Sequence, residues 1–177
     1  RRFSITGWQP KLALTRISSH WFWSTWATPS NTILKPATTR HRHLNELEAA
    51  TLTFAASIGI RASHADVVHV HNQSAFATTR WDRAGTVRLP AEDFTMAMGI
   101  DPDNKYNADL GIVLGWLATH TPDLIDPFLD QVGFNMAVGN GDAHLRNYSI
   151  VTLADGLAMA PLYDSFPLIL LSDYTAD

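Results

Sequence analysis

The 177-residue chain contains no cysteine, which excludes disulfides, thiolate metal sites and a cysteine nucleophile and suits a reducing cytoplasm. Charge is sparse. Only 17% of residues are Asp, Glu, Lys or Arg, and the net charge of −4 gives no global basic signal for nucleic acid. No uninterrupted apolar run approaches the roughly 18 residues that a membrane span needs, so no membrane association is expected. Arg1 to Gly7 has positive charge but lacks the apolar segment of a signal peptide. What is present is apolar material, 46% of the chain, enough for a sizeable core and too much for a disordered tail. The apolar stretch from Phe166 to Leu171 near the end is expected to need further chain to pack against, and the sequence reads as part of a longer gene product.

The first third has β character. Lys11 to Ile17 alternates apolar and polar residues, as does Asn31 to Lys35 more loosely. Trp21, Phe22, Trp23 and Trp26 are expected in a loop ended by Pro29. Leu44, Leu47, Thr51, Phe54 and Ile58 recur at helical spacing, predicting a helix over 44–57 stopped by Gly59. Two strands are predicted at Asp66 to His71 and Ala75 to Arg80. Pro90 is expected to open a helix over 91–98, with Glu92 and Asp93 in its first turn. Helices over 108–119 and 122–138 follow, then a hairpin. The order defines an α+β chain with a β-rich N-terminal part and a helical C-terminal part.

Chemistry concentrates in Val138-Gly139-Asn140-Gly141-Asp142-Ala143-His144-Leu145-Arg146-Asn147. A helix ends in glycines there, and the loop that follows holds an acid, an imidazole and an amide. Downstream, Asp155-Gly156 between apolar runs signals a type I′ hairpin. Taken as the two loop residues, they pair Ala154 with Leu157 and carry Asn147 opposite Asp164 on one face. An amide oxygen and a carboxylate converging beside a loop Asp suit a hard divalent cation such as Mg²⁺. Asn147 lies five residues after Asp142, the spacing of the protein-kinase catalytic loop, in which Asp accepts the substrate hydroxyl proton and Asn holds metal. Lys35, on a strand before a helix bearing Glu46, is the candidate phosphate ligand.

These residues lie within a longer series of motifs. Ser4 to Leu12, Ile33-Leu34-Lys35-Pro36, Asn45-Glu46, Arg80-Trp81-Asp82-Arg83, Arg88 to Phe94, Lys105-Tyr106, Gly139 to Ser149 and Ala160 to Asp164 resemble, in order, the motifs of HipA-like serine/threonine kinases, the toxin halves of bacterial toxin–antitoxin pairs. The resemblance runs from Phe3 to about Phe166. It implies a two-lobed protein-kinase-like fold, with residues 1–83 as a β-rich N-lobe carrying the phosphate loop and one helix. Residues 84–177 would form a truncated helical C-lobe with the catalytic loop and metal-binding hairpin. It further implies a fragment without the family's N-terminal subdomain and most of its C-terminal helices.

The resemblance also implies roles. Asp142 would be the catalytic base, and Asn147 and Asp164 would hold Mg²⁺. Lys35 would contact the ATP phosphates, with Thr6, Gly7, Trp8, Gln9, Pro10 and Lys11 forming the phosphate-side loop. Thr79, Arg80 and Trp81 would form the hinge against adenine, with His144 and Tyr163 close to the nucleotide. Ser4 would be the autophosphorylation site, whose modification ejects the loop and silences the kinase. Expected partners are a helix-turn-helix HipB-like antitoxin, DNA only through that antitoxin, and a translation-related protein substrate such as an aminoacyl-tRNA synthetase. The competing expectation is a truncated, non-catalytic module that binds nucleotide or antitoxin only.

Two other patterns have simpler readings. His41-x-His43 and His69-x-His71 place imidazoles two apart, as a zinc site on a strand would, but solvated or partly packed histidines are the default. The tryptophan cluster has the composition of a base-stacking platform, although packing over a core or interface fits the negative net charge better.

Overall fold

The computed structural model describes residues 9–38, 43–70, 73–106 and 109–171. Ser4, Thr6, Gly7, Trp8, His41 and His71 therefore lie outside the described residues. The N-terminal part is a five-stranded sheet, spatially ordered β2-β1-β3-β5-β4 and antiparallel throughout. Its strands are β1 (Leu12–Ile17), β2 (His20–Trp23), β3 (Thr32–Pro36), β4 (Ala65–Val70) and β5 (Gln73–Thr79). Helix α1 (Leu44–Ser57) covers one face. Its Ala49, Leu52 and Ala55 join Phe76 of β5, and Phe134 and Leu162 from the second half, in one buried cluster. Leu34, Ala75 and Ala77 pack with Leu14 in another.

Two short strands, β6 (Arg83–Ala84) and β7 (Val87–Arg88), form a ribbon after β5. The second half combines strands β8 (Ala91–Asp93), β9 (Ser149–Leu153) and β10 (Gly156–Met159) with helices α2 (Phe94–Ala97), α3 (Leu110–His120) and α4 (Ile125–Val138). The sheet order is β10-β9-β8. Its core joins Phe94, Val113, Leu117, Leu124, Phe128, Tyr148, Ile150 and Met159. Helix α4 ends at Gly139, whose left-handed φ of 72° suits a residue without a Cβ.

The structure corrects four expectations. Residues 91–93 form an edge strand, because they pair with β9 (Ala91 with Val151, Asp93 with Ser149). The helix begins only at Phe94, N-capped by Asp93, which accepts from the Met96 amide at 3.0 Å. Trp21 to Trp23 lie in β2, paired with Leu14 to Arg16, rather than in a loop. Trp21 packs against the sheet's core under the Arg16 guanidinium, whereas Trp23 and Trp26 face solvent.

The hairpin register also differs. Gly156 pairs with Leu153 and Met159 with Ile150, so Ala154 and Asp155 form the turn. A type I′ turn needs positive φ at both loop residues; here only Gly156, the first residue of the return strand, has it (137°). Asn147 and Asp164 therefore lie beyond the ladder and are not paired by it. Finally, the apolar end segment is partly accommodated. Phe166 and Leu171 bury against Leu44 of α1, with Leu47 and Leu168 around them, while Ile169 and Leu170 remain exposed.

Phe94 anchors the core of the second half with no exposed surface. Phe94→Ala is expected to lower unfolding free energy by about 3–5 kcal/mol. In urea denaturation the midpoint should fall with little change in slope; a loss below about 1 kcal/mol would show that the core lies elsewhere.

Candidate functional site

The two halves enclose a cleft of about 430 Å³. At its centre is Lys35 in β3, whose side chain is 5% exposed. Its ammonium donates to Glu48 of α1 at 2.6 Å and to Asp164 by a second short contact. The other Asp164 carboxylate oxygen accepts from Lys11 at 3.3 Å. Burial alone would strip charge from these groups; their mutual pairing retains it on Lys35 and Asp164. Lys35 is held above the ordinary lysine range because Asp164 and Glu48 outweigh its desolvation. Asp164 is held well below the usual carboxylate range because Lys35 and Lys11 outweigh its desolvation. For Glu48 desolvation wins over Lys35, and its pKa rises to about 7.

Asp142 and Asp164 are brought together by a buried amide network rather than by the hairpin ladder. Asn140 donates from Nδ2 to Asn135 Oδ1 at 2.8 Å and to the Asp164 carbonyl at 3.5 Å, and its Oδ1 accepts from the Asp142 amide at 3.3 Å. Ser165 donates to the same Asn135 oxygen at 2.6 Å. Asp164 itself has a φ of 50°, a left-handed backbone that Asp tolerates better than most side chains do. Asn147 donates to the Asp142 carbonyl at 3.0 Å, closing the loop onto itself. The packing of 168–170 supports this loop: a Cβ at Gly139 or Gly141 would come within 3.1 Å of Ile169 or Leu168.

Above the loop, Tyr106 donates to Asp142 Oδ1 at 2.5 Å and Lys105 lies 2.8 Å from His144 Nε2. Burial, with Lys105 adding to it, lowers the His144 pKa, so a neutral imidazole accepting at Nε2 carries its proton on Nδ1. That atom and Ser63 Oγ are the two buried side-chain polar atoms among the described residues without a hydrogen-bond partner, and both residues line this cleft.

Thr79, the last residue of β5, and Arg80 and Trp81 after it also line the cleft, with Ile33 and Phe76. Arg80 pairs with both Asp82 oxygens at 2.9 and 2.6 Å, and Arg83 joins the second at 2.6 Å. The Trp81 ring lies 5.5 Å from that of Tyr163, whose hydroxyl donates to the Arg146 carbonyl at 2.9 Å.

Of the residues singled out by sequence, Gln9, Lys11, Lys35, Thr79, Arg80, Trp81, Asp142, His144, Asn147, Tyr163 and Asp164 share this cleft. Pro10 is exposed and does not line it. Glu46 is also exposed; the lysine's partner is Glu48. The helical spacing that predicts α1 runs through Phe54 and Ile58, which are exposed, whereas the buried face runs Leu44, Glu48, Leu52, Ala55. A buried acid at helical spacing between leucines was the available signal. Ser63, Asp82, Lys105 and Arg146 also line the cleft without having been assigned there. Among the described residues, no group of three or more His, Cys, Asp or Glu is placed to hold a metal ion, and no helix is long and apolar enough to cross a membrane.

Comparison with known proteins defines the class. The chain matches the HipA-like C-terminal domain over residues 3–175 and belongs to that family. It is 30% identical over 184 residues to the Sinorhizobium fredii protein named "Putative kinase Y4mE", covering 97% of this chain and 44% of that protein. It is 25% identical over 196 residues to the serine/threonine-protein kinase toxin HipA of Shewanella oneidensis, covering 98% of this chain and 45% of that one. The solved complex of Shewanella oneidensis HipA with HipB and operator DNA matches with a TM-score of 0.78 at 25% identity, over 95% of this chain and 44% of that one. The Helicobacter pylori proinflammatory kinase CtkA matches in fold, with a TM-score of 0.55 at 18% identity, over 75% of this chain and 48% of that one. The chain thus spans less than half the length of these relatives.

The Glu48 shift predicts a pH dependence. Between pH 4.5 and about 7 the folded chain retains a proton that the unfolded chain releases, so Glu48 makes stability fall as pH rises through that window. Glu48→Gln should remove this component. Unfolding free energies measured across the window should slope less steeply downward in the variant; identical slopes would contradict the assignment.

Proposed function

We propose that this chain is the core of an ATP- and Mg²⁺-dependent protein serine/threonine kinase of the HipA toxin type. The observation that carries the proposal is the buried Lys35 held between Glu48 and Asp164, with Asp142 and Asn147 lining the same cleft. In this reading the fold is two-lobed, residues 1–83 forming the N-lobe and 84–177 the C-lobe, with the cleft between them.

The donor set fits the cofactors. The Asp164 carboxylate and the Asn147 amide oxygen are the hard oxygen ligands that Mg²⁺ takes, and Asn147 already commits its nitrogen to the Asp142 carbonyl. Bound Mg²⁺ would neutralise phosphate charge as it develops during transfer. Lys35 and Lys11 supply cations for the phosphate oxygens, and the unpartnered N–H of His144 supplies a donor. Thr79, Arg80 and Trp81 would flank the base. Asp142 acts as general base: its Oδ1 takes a hydrogen bond from the Tyr106 hydroxyl, the interaction that an incoming serine or threonine hydroxyl would make. The family relationship extends the proposal to a HipB-like helix-turn-helix antitoxin partner, DNA contact through that partner, a translation-related substrate such as an aminoacyl-tRNA synthetase, autophosphorylation at Ser4 and a cytoplasmic setting.

Asp142→Asn should reduce phosphate transfer by about 10²- to 10⁴-fold while leaving ATP affinity nearly unchanged, since a base acts in the chemical step. Asp164→Asn should in addition weaken Mg²⁺-ATP binding. Transfer by the Asp142 variant at the parental rate would remove the base assignment. ATP binding by the parent protein without transfer to any protein acceptor would select the non-catalytic module instead.

A further inference from the structure

Ser63 stands out among the cleft's polar groups. The residue is 6% exposed, its Oγ has no partner, and it lines the cleft, as Leu52 and Phe76 do. A buried hydroxyl without a partner is destabilising and calls for an explanation. Packing alone does not explain it, since the neighbouring Thr78 hydroxyl is satisfied by donating to the His64 carbonyl at 3.0 Å.

Its position is defined from both sides. The Ser63 amide donates to the Leu162 carbonyl at 2.9 Å, in a segment where Ala62 bridges Leu162 just ahead of Tyr163 and Asp164. The next residue, His64, accepts from the Thr79 amide at 2.9 Å, and Ala65 pairs with Thr78. Ser63 is thus fastened beside the end of β5, where Thr79 and Arg80 begin. Ser63 therefore lies at the Thr79–Trp81 end of the cleft, where the proposed reading places the base.

We infer that the Ser63 hydroxyl reads the edge of the nucleobase and favours a 6-aminopurine. The inference rests on the nucleotide-binding function proposed above and adds its base specificity. A hydroxyl offers one donor and two acceptor sites. A 6-aminopurine presents an amine donor beside the N7 acceptor, so one hydroxyl serves both. A 6-oxopurine presents O6 and N7, two adjacent acceptors, of which one hydroxyl proton can satisfy only one. The nearby Thr78 hydroxyl is committed to the His64 carbonyl, and the Arg80 guanidinium to Asp82 and Ser30, so neither supplies the second donor.

The test is calorimetric titration of the purified chain and of Ser63→Ala with Mg²⁺-ATP and Mg²⁺-GTP, alongside thermal unfolding of both proteins without nucleotide. The expected result is ATP affinity reduced about 2- to 12-fold in the variant, corresponding to loss of one ordinary hydrogen bond. GTP affinity should change less, so the preference for ATP narrows, and the free variant should melt no lower than the parent. Unchanged ATP affinity, or equal losses for both nucleotides, would overturn the inference while leaving the kinase proposal standing. A parent chain that binds neither nucleotide would remove the kinase proposal and this inference with it.

Discussion

A single ammonium group organises this molecule. Lys35 is buried inside the sheet–helix interface, where an unpaired charge would be prohibitively costly, and it is tolerated because Glu48 and Asp164 approach it from two different parts of the chain. The first contact sets the rotation of α1 against β3, directing Glu48 inward while Ala49, Leu52 and Ala55 bury against Phe76. The second ties the segment after β10 to the N-terminal sheet. Removing one member of such a buried group leaves the others uncompensated, typically at about 3–5 kcal/mol. The arrangement is thus a constraint on where these elements can lie, more than a net source of stability.

The two carboxylates differ in what they can release. Glu48 is sealed, with its side chain 1% exposed, and accepts from Lys35 on its inner side. Asp164 is 31% exposed and is shared between Lys35 and Lys11 at the cleft surface. In the proposed kinase, phosphates entering the cleft would bring negative charge for both lysines to take up, freeing Asp164 without stranding Lys35, which would keep Glu48. Function of the proposed kind therefore requires this asymmetry: one fixed carboxylate to hold the lysine, and one exchangeable carboxylate to meet a metal. The Asn135–Asn140–Ser165 network holds the backbone around Asp142 and Asp164, the frame against which that exchange would occur.

Much of this was legible in the sequence because local rules apply locally. Alternation located β1 and β3, helical spacing located α1, and glycines marked the end of α4. That Lys35, Asp142, Asn147 and Asp164 share one cleft was implied by the motif resemblance, whereas the hairpin pairing of Asn147 with Asp164 does not hold. The hairpin turn falls on Ala154 and Asp155, and tertiary amide bonds position Asp164. Register depends on which residue takes positive φ, and Asp-Gly admits more than one solution. Pairing with a distant strand likewise turned Ala91–Asp93 into β8, since β9 lies far along the chain and no local propensity reports it. Glu48 and Ser63 were missed for a common reason. A buried polar residue looks like a break in an apolar pattern until its neighbours in space are known.

A structure of the chain with Mg²⁺ and a non-hydrolysable ATP analogue tests whether Asp164 exchanges its partners. The analogue should occupy the cleft, with the Lys35–Glu48 pair intact at its present 2.6 Å and the Asp164 carboxylate turned from the lysines to the metal. Analogue bound with the Lys35–Asp164 pair undisturbed, or bound away from Lys35, would contradict that exchange.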